Sequence, residues 1–184
     1  LSSEKLYKSL TEKHKAPLQN ALCPFRVELP KSLKSKIFEV TDQFIKSKKQ
    51  ISNKWQDSVL NCLDFHYSND QLKIIEANTN ASGYLLTQLL EKDKNTIEAF
   101  EQKIVSSFYK VFKTKSPNPL FIVDTKPEDE KMYPEFLMFK DMFLRHHLSS
   151  VKITDTKIFE DTLNQDSSQK IYVYNRDTDF YLEK

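Results

Sequence analysis

The chain predicts an α/β protein, with a mostly parallel sheet, helices on both of its faces and an N-terminal helical segment ahead of it. Three observations carry that expectation. Apolar runs at residues 71–79, 119–124 and 171–174 each end in polar or charged side chains, the last two as short continuous runs of the kind found in buried parallel strands. Segments with apolar residues at helical spacing separate them and are long enough for crossover connections, which make strands parallel. Finally, 184 residues suffice for one substantial core that buries roughly 70% of the unfolded surface. We expect a helical segment over 1–60 to pack on an α/β region over 61–184 as one compact unit.

The elements follow in order. Residues 1–30 carry Pro17, Pro24 and Pro30 and predict a short helix followed by an extended segment. From Pro30, which suits a first helical turn, Leu33, Ile37, Val40 and Phe44 predict a helix to about Lys49. Ile51, Trp55, Val59 and Cys62 align as a second helix, with Trp55 as a core residue. Strands near 63–67 and 72–78 flank Ser68, Asn69 and Asp70, a plausible hairpin turn. After the turn Asn80, Ala81, Ser82 and Gly83, the positions Tyr84, Leu85, Leu86, Leu89 and Leu90 give one apolar helical face.

Asn95 or Thr96 is the expected cap of the next helix, in which Ile97, Phe100, Ile104, Phe108 and Val111 line up. Such an aromatic stripe reads as core, not as a cofactor contact. The run Ser-Pro-Asn-Pro stops it, and PLFIVD follows as a buried strand. An acidic segment at 125–131 leads to a helix from about Tyr133 to His147, burying Phe136, Leu137, Phe143 and Leu144. A strand at 151–154, a short helix near Phe159 and a strand at 171–174 complete the series.

Composition excludes several classes. The 28 Lys and Arg against 26 Asp and Glu leave a formal charge of +2, and the signs are interleaved, as on an ordinary solvated surface. Lys46 to Lys54 is a lysine-rich helix edge without interleaved aromatics, so no nucleic-acid partner is expected. Cys23 and Cys62 lie far apart and fit a reducing, cytoplasmic setting better than a disulfide scaffold. His14, His66, His146 and His147 lack the spacing of a transition-metal site. No apolar run approaches the roughly 18 residues of a membrane span, and residues 1–15 lack the apolar segment of a signal peptide.

The candidate site starts at residues 63–86, which hold the only glycine. Strand alternation from 71 to 79 places Ile74, Glu76 and Asn78 on one face. A carboxylate beside a carboxamide at the end of an apolar run suits a site better than a core, because a buried charge needs a partner or a metal. Asn80 and Ser82 also read as helix caps. In open α/β sheets ligands gather outside the carboxyl ends of strands. With all three apolar strands parallel, Glu76 and Asn78, Asp124, and Asn175 and Arg176 would share one edge. The carboxylates could hold magnesium through oxygen, and Arg176 could clamp a carboxylate or phosphate with two prongs. Pairing of Arg176 with Asp177 or Asp179 is the structural alternative.

The run LKIIEANTNASG resembles the "IE-x-NT" segment of the eukaryotic-type glutathione synthetases and related ATP-grasp ligases. PLFIVDTKPEDEKMYPEFLMF and IYVYNRDTDFYLE resemble that family's later acidic segment and tyrosine-arginine strand, in the same order, so the resemblance covers roughly residues 60–183. It implies magnesium binding by Glu76 and Asn78. It implies substrate binding by Arg176, with Asn175 beside it, by Ser82 and by Glu128. The family's serines fall at Ala81 and Gly83 with Ser82 between them, its arginine ahead of the first strand acid is replaced by Cys62, and its acidic-segment glutamate and asparagine correspond to Glu128 and Glu130.

The activity so implied is an ATP-dependent carboxylate-amine ligase: ATP phosphorylates a carboxylate, and an amine displaces the phosphate. The departures extend the expectation to the reaction class and not to glutathione as substrate. One glycine cannot supply a glycine-rich cover over the phosphates, so we expect the chain to be the N-terminal, substrate-side part of a longer ligase, inactive alone, with ATP bound by later residues. The expected partner is a small carboxylate or peptide substrate, and the resemblance allows a homodimer. From another class, a non-catalytic α/β module that binds a small acidic ligand or a protein partner fits the same residues.

Overall fold

Residue 12 and residues 28–51, 59–91, 93–165 and 170–177 are described by a computed structural model. They fall into two compact units, one within Cys23–Ala81 and one within Ser82–Lys184 that also takes in residue 12. The expected first helix before residue 28 and Trp55 lie outside the described residues.

In the first unit, helix α1 (Lys31–Ile51) follows Pro30 as the sequence predicts, and the Lys34 amide donates to Pro30 O at 3.0 Å. The expected second helix does not reach Cys62. Val59 lies in a bend, Leu60 in a bridge to Asn80, and Cys62 opens strand β1 (Cys62–Ser68). Strand β1 pairs antiparallel with β2 (Gln71–Asn78) through the expected turn, closed by Asn69 and Asp70 in left-handed conformations that asparagine and aspartate tolerate.

This pairing corrects one expectation. The Glu76 strand belongs to a two-stranded antiparallel sheet, not to the parallel one. The cause is local: a two-residue turn returns β2 onto β1 immediately, and Leu72 and Ile74 are only partly buried, so no crossover is needed to cover them.

The second unit carries the parallel sheet, with strand order β4-β3-β5 and β3 central: β3 is Leu120–Asp124, β4 Val151–Asp155 and β5 Tyr172–Asn175. All five residues of β3 are buried, as expected for a central strand covered on both faces. Helices α2 (Lys94–Phe112), α3 (Tyr133–Arg145) and α4 (Thr156–Gln165) supply the layers. On one face Phe121 and Val123 pack with Phe159 of α4 and with Ile171. On the other, Phe108 of α2 and Phe139 of α3 meet the Tyr174 ring edge-on, with centroids 4.8 and 5.1 Å away. Ile122 is the register partner of Tyr174 and is fully buried.

Smaller corrections have local causes. Asp93, not Asn95 or Thr96, caps α2, because its carboxylate accepts both the Asn95 and the Thr96 amides. The apolar face after Gly83 forms only a 3₁₀ turn at Leu86–Leu90. In α3 the buried face runs through Phe136, Met138, Phe139, Met142 and Phe143, while Leu144 points outward. Among the described residues no helix is long and apolar enough to cross a membrane.

Candidate functional site

A buried polar cluster lies at the carboxyl edge of the parallel sheet. Arg176 directly follows β5, and its amide donates to Val123 O at 2.7 Å, which extends the ladder by one bond and turns the side chain onto the α3 face. The residue is 5% exposed. Its guanidinium lies 5.8 Å from the Phe136 ring centroid and 5.4 Å from that of Tyr174, in cation–π range of both. Nη1 donates to the Tyr174 hydroxyl at 3.2 Å, and Nη2 donates to Ser82 Oγ. Burial raises the Tyr174 pKa, so the phenol stays protonated.

Ser82 is exposed where Arg176 is buried, so the pair runs from the surface inward. Its oxygen accepts from the guanidinium, and among the described residues its hydroxyl proton has no acceptor.

Glu135 lies behind this pair. It is the third residue of α3, after Tyr133 and Pro134, and is 1% exposed. The Gly83 amide donates to Oε2 at 2.8 Å, and the Leu85 amide donates to Oε1 at 2.9 Å. Burial raises its pKa; these amides and the nearby Arg176 charge oppose the rise. Gly83 holds φ at +93°, a conformation that a residue with a Cβ rarely adopts, and this aims two amides at one carboxylate.

A second group of acids ends the strands. Asp124 is held up at about 6, first by burial, then by the neighbouring Glu130 and Asp177 charges, while the Thr125 amide and Arg176 pull it down. Asp155, its register partner on β4, accepts the Lys126 and Lys157 amides at 2.9 Å each, which lower its pKa. Asp177 accepts the Thr125 and Thr156 hydroxyls at 2.8 and 3.1 Å. These bonds fix the loops that leave the sheet.

The predicted residues separate accordingly. Ser82 and Arg176, called from opposite ends of the resemblance, are in contact. Asn175 is the register partner of Val123 and so points to the α4 face, where its side chain accepts the Asp177 amide at 3.0 Å. Glu128 is exposed in the 3₁₀ turn Pro127–Asp129 and makes no hydrogen bond or ion pair among the described residues.

Glu76 and Asn78 lie in the other unit, on one face of β2 opposite Asp64 and Cys62. That face offers hard oxygen donors, which suit magnesium, an ion that usually keeps several waters. Among the described residues no three acidic, histidine or cysteine groups converge as a metal site.

Glu135 and Tyr174 were missed as site residues. The available signal was a lone glutamate within the apolar run Tyr-Pro-Glu-Phe, which at a helix start also reads as an ordinary acid at the positive end of the dipole.

A separate depression of about 450 Å³ at the end of α2 is lined by Ser106, Tyr109, Lys110, Lys113, Thr114 and Lys115. Lysines there complement the negative helix end, which accounts for the cluster. Comparison with family models, with curated proteins and with solved structures gives no match.

Proposed function

We propose that the chain is the substrate-side part of an ATP-dependent carboxylate-amine ligase, working in a reducing, cytoplasmic setting, and that Ser82 and Arg176 grip the substrate carboxylate. The observation that carries this is their contact across 94 residues of sequence, at the sheet edge where ligands of α/β proteins gather. Both residues come from segments that resemble the ligase family.

The chemistry suits an anion. Arg176 is a buried cation within cation–π range of two rings, and its charge favours an anion. The Ser82 hydroxyl has a proton to give. A carboxylate oxygen arriving at Ser82 therefore meets the hydroxyl donor outside, with the guanidinium charge beneath it. Holding the substrate in this way would orient its carboxylate and contribute the positioning part of catalysis. When bound, ATP with magnesium supplies the activating phosphoryl group, and Glu76 and Asn78 would be this chain's ligands to the metal.

The test is a titration of the chain with glutathione, used as a peptide-carboxylate probe, followed by amide chemical shifts. Saturable shifts at Ser82, Gly83 and Arg176 that vanish in Arg176→Ala support the reading. Absence of shifts in the wild-type chain, or equal shifts in the variant, would sink it.

A further inference from the structure

Glu135 belongs to no part of the substrate grip as described, yet it is among the most deeply buried charged side chains described here. Desolvating a carboxylate is costly unless hydrogen bonds replace the lost water. Here the replacements are backbone amides of a single loop, Gly83 at 2.8 Å and Leu85 at 2.9 Å. That loop begins with Ser82, whose oxygen sits on Arg176. Glu135 also follows directly from the helix start, so its backbone is fixed by α3, whose Phe136 ring lies against the guanidinium. One helical turn thus holds both halves of the grip, Arg176 through Phe136 and Ser82 through Glu135.

We infer that Glu135 is a positioning residue for the Ser82–Arg176 pair: its carboxylate fixes the 82–85 loop by two amides and so sets the serine oxygen on the guanidinium. This rests on the ligand-binding reading above only for its effect on affinity; the loop geometry stands without a ligand.

Glutamine at 135 separates positioning from simple charge balance. It keeps the volume but has one acceptor oxygen, and its NH₂ group opposes the second amide. A positioning role predicts weaker glutathione binding, on the order of tenfold, because one buried N–H loses its acceptor and the loop shifts. A pure counter-ion role predicts the reverse, since removing a negative charge beside Arg176 favours an anion.

The experiment measures glutathione affinity and amide hydrogen exchange in wild type and Glu135→Gln. Expected are weaker binding and faster exchange at Gly83 and Leu85, with the amides of α2 and α3 unchanged. Tighter or equal binding overturns the inference, as does unchanged exchange at those two amides. If wild type does not bind glutathione, the ligand reading fails and exchange at Gly83 and Leu85 alone decides the positioning role.

Should Glu135→Gln not fold, Gly83→Ala moves the same loop without touching a charge. Its added Cβ meets nothing within 4 Å, so its effect comes from the backbone at φ +93°. Faster exchange at Leu85 in that variant supports the inference, and wild-type exchange overturns it.

Discussion

The Gly83 amide donates to Glu135 Oε2 at 2.8 Å across 52 residues of sequence. That one bond joins the loop ahead of the first 3₁₀ turn to the first turn of α3, and the Leu85 amide repeats the connection. A carboxylate bound by several N–H groups tolerates burial that an isolated one would not. The consequence is a buried carboxylate that ties the 83–85 backbone to α3 within reach of the Arg176 charge.

Two carboxyls with raised pKa values make stability depend on pH. Asp124 is pushed from 3.8 to about 6 by burial first and then by Glu130 and Asp177; Glu135 is raised by burial. Between about pH 4 and 6 the folded chain therefore holds protons that the unfolded chain releases. Stability is full below that window and falls as pH rises through it, then levels off. Asp155 acts oppositely, but its lowered pKa completes its contribution before the window opens. Thermal midpoints measured from pH 4 to 7 should decline, and Asp124→Asn should flatten the decline. A rising profile would contradict the burial of these groups.

The aromatic core predicts a larger effect. Phe108 is 1% exposed and meets Phe112, Phe139, Phe143 and Tyr174 with centroids 4.8 to 6.2 Å away. Truncation to alanine removes a ring that links α2, α3 and β5, and should cost about 3–5 kcal/mol. Urea unfolding of Phe108→Ala measures it, and a loss below about 1 kcal/mol would show that the core refills the space.

The sequence made the parallel sheet legible because β3 is a continuous apolar run and its crossovers carry clear helical periodicity. Periodicity likewise located α1, α2 and α3. It could not tell which of the polar-ended strands share a sheet. The Glu76 strand ends in polar residues like β3 and β5, but its partner is set by the Asn69–Asp70 turn, a local preference that outweighs the resemblance of its ending. Ser82 and Arg176 were readable as polar residues after apolar runs. Glu135 was not, since nothing in a single sequence shows that a helix-start acid faces inward onto amides 50 residues away.

Glu76 gives the remaining test, on the hairpin alone. Its register partner is Asp64, and like charges directly opposite on antiparallel strands destabilise the pair. Asn78 lies on the same face, so a hard cation bound there would both gain oxygen ligands and relieve the repulsion. Magnesium should therefore shift the amides of Glu76 and Asn78 in the wild-type chain at millimolar concentration. In Glu76→Gln the shifts should be lost. Without magnesium, that variant should be at least as stable as wild type, because the facing charge is gone and both residues are solvent-accessible. Equal magnesium shifts in both proteins would remove Glu76 from the metal role. A less stable variant without magnesium would mean instead that the carboxylate has a structural partner in the fold.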